Sequence, residues 1–132
     1  MKVSFSDKEI TNNSSYSLTE FKQFAFNIPP QILYNFDEHK FYTIIITDEN
    51  SNQPYFLHML EINNGDIIQS YVPPNPPSGN HKYTISIYQQ SNLIKGSLYI
   101  NIPRSGFNLS FFVIQNHLKL VDKLSFNISE EK

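Results

Sequence analysis

The segment Phe41-Tyr42-Thr43-Ile44-Ile45-Ile46-Thr47 decides how the rest of the chain is read. β-Branched and aromatic residues fill every position, which is the composition of a strand. Both of its faces are apolar, so it is expected in the middle of a sheet, covered on two sides. It runs into Asp48-Glu49-Asn50-Ser51-Asn52-Gln53-Pro54, a polar loop. Downstream, Tyr55 to Ile62 is a second apolar segment carrying His58, and Asn63-Asn64-Gly65-Asp66 turns the chain. Lys82 to Tyr88 alternates Tyr83, Ile85 and Ile87 against Lys82, Thr84, Ser86 and Tyr88, a third strand. Ser97 to Ile102 reads as a fourth, with Gln89 to Gly96 as a hairpin-like connection. Phe107, Phe111, Ile114 and Leu118 fall at helical spacing, which predicts a short helix over Ser110 to His117. Lys123 to Ile128 alternates again and closes the sheet.

Upstream of the central strand, Lys2 to Ser6 suits a short edge strand, and the SDKEITNNSSYS that follows is rich in turn formers. Ser17-Leu18-Thr19-Glu20 has the form of a capping box, which predicts one or two helical turns through Phe24. Phe24, Phe26 and Ile28 then alternate as a strand ended by Pro29-Pro30. With no internal repeat and no linker, residues 1–132 read as a single all-β domain, antiparallel, with small helical insertions.

Composition narrows the function. A chain of 132 residues with 39% hydrophobic and 17% charged residues folds around one core. A net charge of −2, without clustered Lys or Arg, argues against nucleic acid as partner. The absence of cysteine excludes thiolate nucleophiles and zinc-thiolate sites. No apolar leader and no stretch long enough to cross a bilayer are found, so a cytoplasmic protein without a transmembrane segment is expected. No G-x-S-x-G elbow, H-E-x-x-H helix or phosphate-cradling glycine loop occurs, and no cofactor is expected.

The most unusual stretch is Val72 to Tyr83, VPPNPPSGNHKY. Its prolines forbid helix and central strand, so it is a stiff extended loop that delivers His81 and Tyr83 to one face of the next strand. Three readings are open: the wall of a site, a ligand for an aromatic-grooved adaptor domain, and a plain connection between strands. Asp48 lies at the end of the central strand, His58 in the next and His81 at the entry of the one after. If those strands are neighbours, two imidazoles and a carboxylate converge. Such a group suits a metal or an anion, with the carboxylate fixing a His tautomer in the second case. His39, beside Asp37-Glu38, and His117, at the expected helix end, read as ordinary surface residues.

Taken in order, Tyr42-Thr43-Ile44-Ile45-Ile46-Thr47-Asp48, Phe56-Leu57-His58, Asn75-Pro76-Pro77 and Gly79-Asn80-His81-Lys82-Tyr83 resemble the phosphatidylethanolamine-binding protein (PEBP) family. That family carries a D-P-D-x-P loop, an H-H-F strand and a G-P-P-x-x-x-G-x-H-R-Y segment in this order. Arg104-Ser105-Gly106-Phe107, with the helix and strand after it, is similar to the family's carboxyl-terminal third. The resemblance implies an antiparallel β-sandwich of Greek-key type with one or two short helices, a non-enzymatic protein with a small phosphate-accepting pocket. The ligand-binding residues it implies are Asp48, Phe56, His58, Asn75, Pro76, Pro77, His81 and Tyr83, with no metal. Phe56 stands where the family has a pocket Trp, and Leu57 and Asn75 replace a His and a Gly of the pattern. The aspartate loop lacks its prolines and second aspartate, so a less rigid and less acidic rim is expected. The partner expected is a phosphate-containing small molecule or phospholipid headgroup, in a role that modulates signalling. The alternative is a regulator that inhibits a protein kinase or serine protease.

Overall fold

A strand that is apolar on both faces needs cover on both, and the fold supplies a second sheet on one side and a helical layer on the other. The computed structural model describes residues 1–24, 26–49, 55–74 and 79–129. Among these, the strands are β1 (Lys2–Phe5), β2 (Lys8–Ile10), β3 (Ser14–Ser17), β4 (Gln31–Leu33), β5 (Phe41–Asp48), β6 (Phe56–Ile62), β7 (Asp66–Gln69), β8 (Asn80–Gln90) and β9 (Lys119–Ser129). Two α-helices are α1 (Leu18–Lys22) and α2 (Leu109–Gln115). The large sheet has the order β3-β9-β8-β5-β6-β7 and the small one β2-β1-β4.

One core lies between the sheets. Val3, Phe5 and Ile10 of the small sheet meet Tyr42, Ile44, Ile46, Met59, Tyr83, Ile85, Ile87 and Phe126 of the large one. A second core covers the opposite face, where Ile45, Leu57, Leu60 and Ile62 pack on Phe107 and Phe112 of the α2 layer. The central strand is therefore sandwiched, as its composition required.

The capping box is made in full. The Ser17 side chain accepts from the Glu20 N–H at 3.1 Å, and the Glu20 carboxylate accepts from the Ser17 N–H at 3.1 Å. The helix so anchored aims Phe21, fully buried, into the core between the sheets.

Several sequence expectations are corrected. β1 is the middle of its sheet, not an edge, because the turn-rich segment after it contributes β2 and β4 joins its other side. Phe24 to Ile28 contains no strand among its described residues; Phe24 and Phe26 turn inward against Phe21 instead. Ser97 to Ile102 forms a 3₁₀ turn (Gly96–Leu98) and further turns, so Gln89 to Gly96 is no hairpin. Leu98 and Ile100, which mimic a strand face, are exposed, while Tyr99 and Ile102 pack on the α2 layer. The last strand begins at Lys119 and lies inside the sheet, and β3 pairs with it in parallel, so the large sheet is mixed.

Candidate functional site

Neighbouring strands bring the predicted chemistry together at one end of the large sheet. β5 ends at Asp48, which stands opposite Tyr83 of β8 in the register, and alternation along β8 places His81 on the same face. The side chains meet: His81 Nδ1 lies 2.7 Å from Asp48 Oδ2, with both residues buried. A carboxylate only accepts, so Nδ1 carries the hydrogen and the tautomer of the neutral ring is fixed.

His58 arrives by a different device. Along β5 and β6, Ile46 stands opposite Met59 and Thr47 opposite Leu57, leaving His58 as the extra residue of a β-bulge. The bulge sends His58 to the face of Phe56, Tyr83 and Met59, while Leu57 and Leu60 face the α2 layer. His58 Nδ1 lies 2.7 Å from the Val72 carbonyl, and Val72 N–H donates to the His58 carbonyl at 2.9 Å. The carboxylate expected to fix a His tautomer does so at His81, and the backbone before the proline loop holds His58. Burial lowers the His58 pKa from its ordinary value, aided by the Arg104 and His81 charges; the Val72 bond and the Asp48 carboxylate oppose it in part.

Tyr83 joins the two rings. Its centroid is 5.4 Å from His58, edge-on, and 6.4 Å from His81, nearly parallel, and its hydroxyl pKa is raised by burial. Phe56 packs edge-on against His58 at 4.9 Å. Asp48, Phe56, His58, His81 and Tyr83 thus form one cluster, and Asn75, Pro76 and Pro77 lie outside the described residues. His39 pairs with Glu38 at the surface and His117 follows α2, away from this group.

The sequence reading did not single out Arg104 as part of the site. One Nη1 donates to the carbonyls of Leu57 and His58, each at 3.1 Å, and Nη2 donates to Ser70 at 2.5 Å. The guanidinium pins the bulge to the segment that leads into Val72, and so fixes both ends of the His58–Val72 bond. That Arg104 is the only arginine in the chain was a signal the sequence did hold. Among the described residues, no three His, Asp or Glu side chains are placed to hold a metal ion.

No family model matches the sequence. The chain is 25% identical over 135 residues to Protein MOTHER of FT and TFL1 homolog 2 of Oryza sativa subsp. japonica, covering 91% of this chain and 75% of that protein. Among solved structures, the phosphatidylethanolamine-binding protein from Plasmodium vivax superposes with a TM-score of 0.67 at 14% identity, over 98% of this chain and 84% of that one. The chain is PEBP-like in sequence and fold. A second PEBP-like neighbour is carboxypeptidase Y inhibitor, solved in complex with its cognate proteinase, with a TM-score of 0.77 at 16% identity over 98% of this chain and 82% of that one. The strand order accounts for the place of the cluster, at the sheet end where β6, β5 and β8 lie side by side. No helix among the described residues is long and apolar enough to cross a membrane.

Proposed function

We propose that this is a non-enzymatic binding protein whose Asp48, His58 and His81 pocket takes a phosphate-type anion, from a phospholipid headgroup or a phosphorylated small molecule, and that binding serves a regulatory role. The observation that carries the reading is a pair of buried imidazoles on one sheet face, each held through Nδ1 by an acceptor. Imidazoles held in this way present their Nε2 edges in fixed directions, which lowers the ordering cost of binding.

Proton linkage follows from the geometry. Burial keeps His58 neutral near neutral pH, with its hydrogen on Nδ1 and a lone pair on Nε2. A phosphate dianion meets that lone pair unfavourably. Protonation of His58 removes the conflict, and so does capture of the monoanion, whose remaining P–OH donates to Nε2. Either way the contact with His58 adds one proton to the complex relative to the separated partners. Affinity for phosphoethanolamine is therefore expected to rise as pH falls, by up to about tenfold per pH unit. The window lies between the proton's pKa in the complex and its lower value in the free partners. Calorimetric titrations from about pH 8 to 5.5 check this, and a flat profile over that range refutes it.

The likeness to carboxypeptidase Y inhibitor supports a second reading, a regulator that binds a proteinase or another protein partner. A pull-down with carboxypeptidase Y compares wild type with His81→Ala. Equal retention places a protein interface away from the pocket, and loss with the variant makes the pocket part of it.

A further inference from the structure

The face that carries the histidines continues along β6 past Met59 to Glu61, and there it opens. Ile44 of β5 and Ile67 of β7 stand directly opposite Glu61 in the two ladders, so the three side chains form a row across the sheet. The small sheet covers this row incompletely, since it has three strands against six. Between the row and the chain at Pro30 and Ile32 lies a cleft of about 380 Å³, which Met59 also lines. This volume is at the small end of the usual range for organic ligands.

The chemistry of the walls is one-sided. Apart from Glu61, the lining side chains are uncharged and mostly apolar. Among the described residues no hydrogen bond or ion pair reaches the Glu61 carboxylate, although the residue is half-buried. Arg104, whose Nη2 binds the Ser70 carbonyl beside the cleft, has its guanidinium directed to three carbonyls. Burial, and then the Asp66 carboxylate, raise the Glu61 pKa. Ile67, at the cleft, is 52% exposed, an apolar side chain left without cover. A carboxylate placed in apolar surroundings without a partner is costly, and a cation with an apolar body relieves both defects at once.

We propose that this cleft binds a small organic ammonium ion, an alkyl or aryl amine in its charged form, with Glu61 as counter-ion and Ile44, Met59 and Ile67 against its apolar body. The site is separate from the Asp48, His58 and His81 cluster and does not depend on the anion reading. The probe is hexylammonium, followed by methyl and amide NMR on the full chain, beside 1-hexanol, which shares the chain length and lacks the charge. Saturable shifts on the methyls of Ile32, Ile44 and Ile67 are expected, with hexylammonium bound about tenfold more tightly than 1-hexanol. Glu61→Gln, which keeps the side-chain shape, is expected to remove that preference while the β8 amides stay unchanged. Absence of saturable shifts at about 10 mM hexylammonium overturns the proposal. Equal affinity for the alcohol and the ammonium does the same, and that comparison on the wild-type chain needs no variant.

Discussion

In the double variant His58→Ala/His81→Ala, phosphoethanolamine is expected to produce no saturable shift at Asp48, Phe56 or Tyr83, where the wild-type chain shows one. Two hydrogen bonds to a charged ligand are lost together. At about 1.5–3 kcal/mol each, that weakens binding by at least about a hundredfold. A further loss comes from electrostatics: with His81 gone, the Asp48 carboxylate loses its bond to Nδ1 and repels the anion more strongly. Amide and imidazole NMR titrations of both proteins measure the effect. The far half of β8, from Ile85 to Gln90, serves as the folding control because it lies toward the other end of the sheet. Shifts that persist in the double variant with that control intact would mean that other groups hold the anion, and the pocket assignment would fall.

How much of this was legible in the sequence depended on the kind of contact. The β5 strand was plain from its β-branched run. The spacing of Phe107, Phe111, Ile114 and Leu118 placed a helix in the right part of the chain but by the wrong face, since Phe111 and Ile114 are exposed and α2 packs through Phe112, with Leu109 and Val113 beside it. The pairing of Asp48 with His81 was within reach, since it follows from strand ends and alternation. The orientation of His58 was not. It depends on a bulge and on the Val72 carbonyl, and a carbonyl acceptor has no letter in the sequence. Arg104 acts on three carbonyls and was hidden in the same way.

Strand pairing set the other limit. Leu98 and Ile100 alternate like strand residues, yet β8 and β9 already have partners on both sides, so the segment had no open edge there to join. The parallel pairing of β3 with β9 joins Ser14 to Phe126, residues from opposite ends of the chain, through a segment that reads only as turn formers. Local composition does not record such long-range choices.

The largest stability change is expected from Phe21→Ala. Phe21 is the buried residue of a five-residue helix, fully removed from solvent, and its ring meets four others. Phe5 approaches edge-on at 5.5 Å, Phe24 at 5.5 Å, Phe26 at 5.1 Å, and Phe126 stacks at 5.9 Å. Phe5 belongs to the small sheet and Phe126 to the large one, so a single ring bridges both layers and the loop after α1. Truncation leaves a cavity that these rings fill poorly, because each is held by its own neighbours, and a buried Phe→Ala costs about 3–5 kcal/mol. Against a total stability of about 5–15 kcal/mol for a domain, this is a large fraction. It corresponds to a fall in Tm of roughly 10–18 °C for a chain of this length. Phe111→Ala provides the contrast, since that ring is 61% exposed, and a change within about 0.5 kcal/mol is expected. Urea unfolding of the three proteins measures both. Phe126 also stacks on Tyr83 at 5.6 Å, and Tyr83 touches both site histidines. A loosened Phe21 contact should therefore broaden the His58 and His81 resonances before the chain unfolds, whereas equal loss of stability with sharp imidazole signals would show that the aromatic cluster supports the fold without positioning the site.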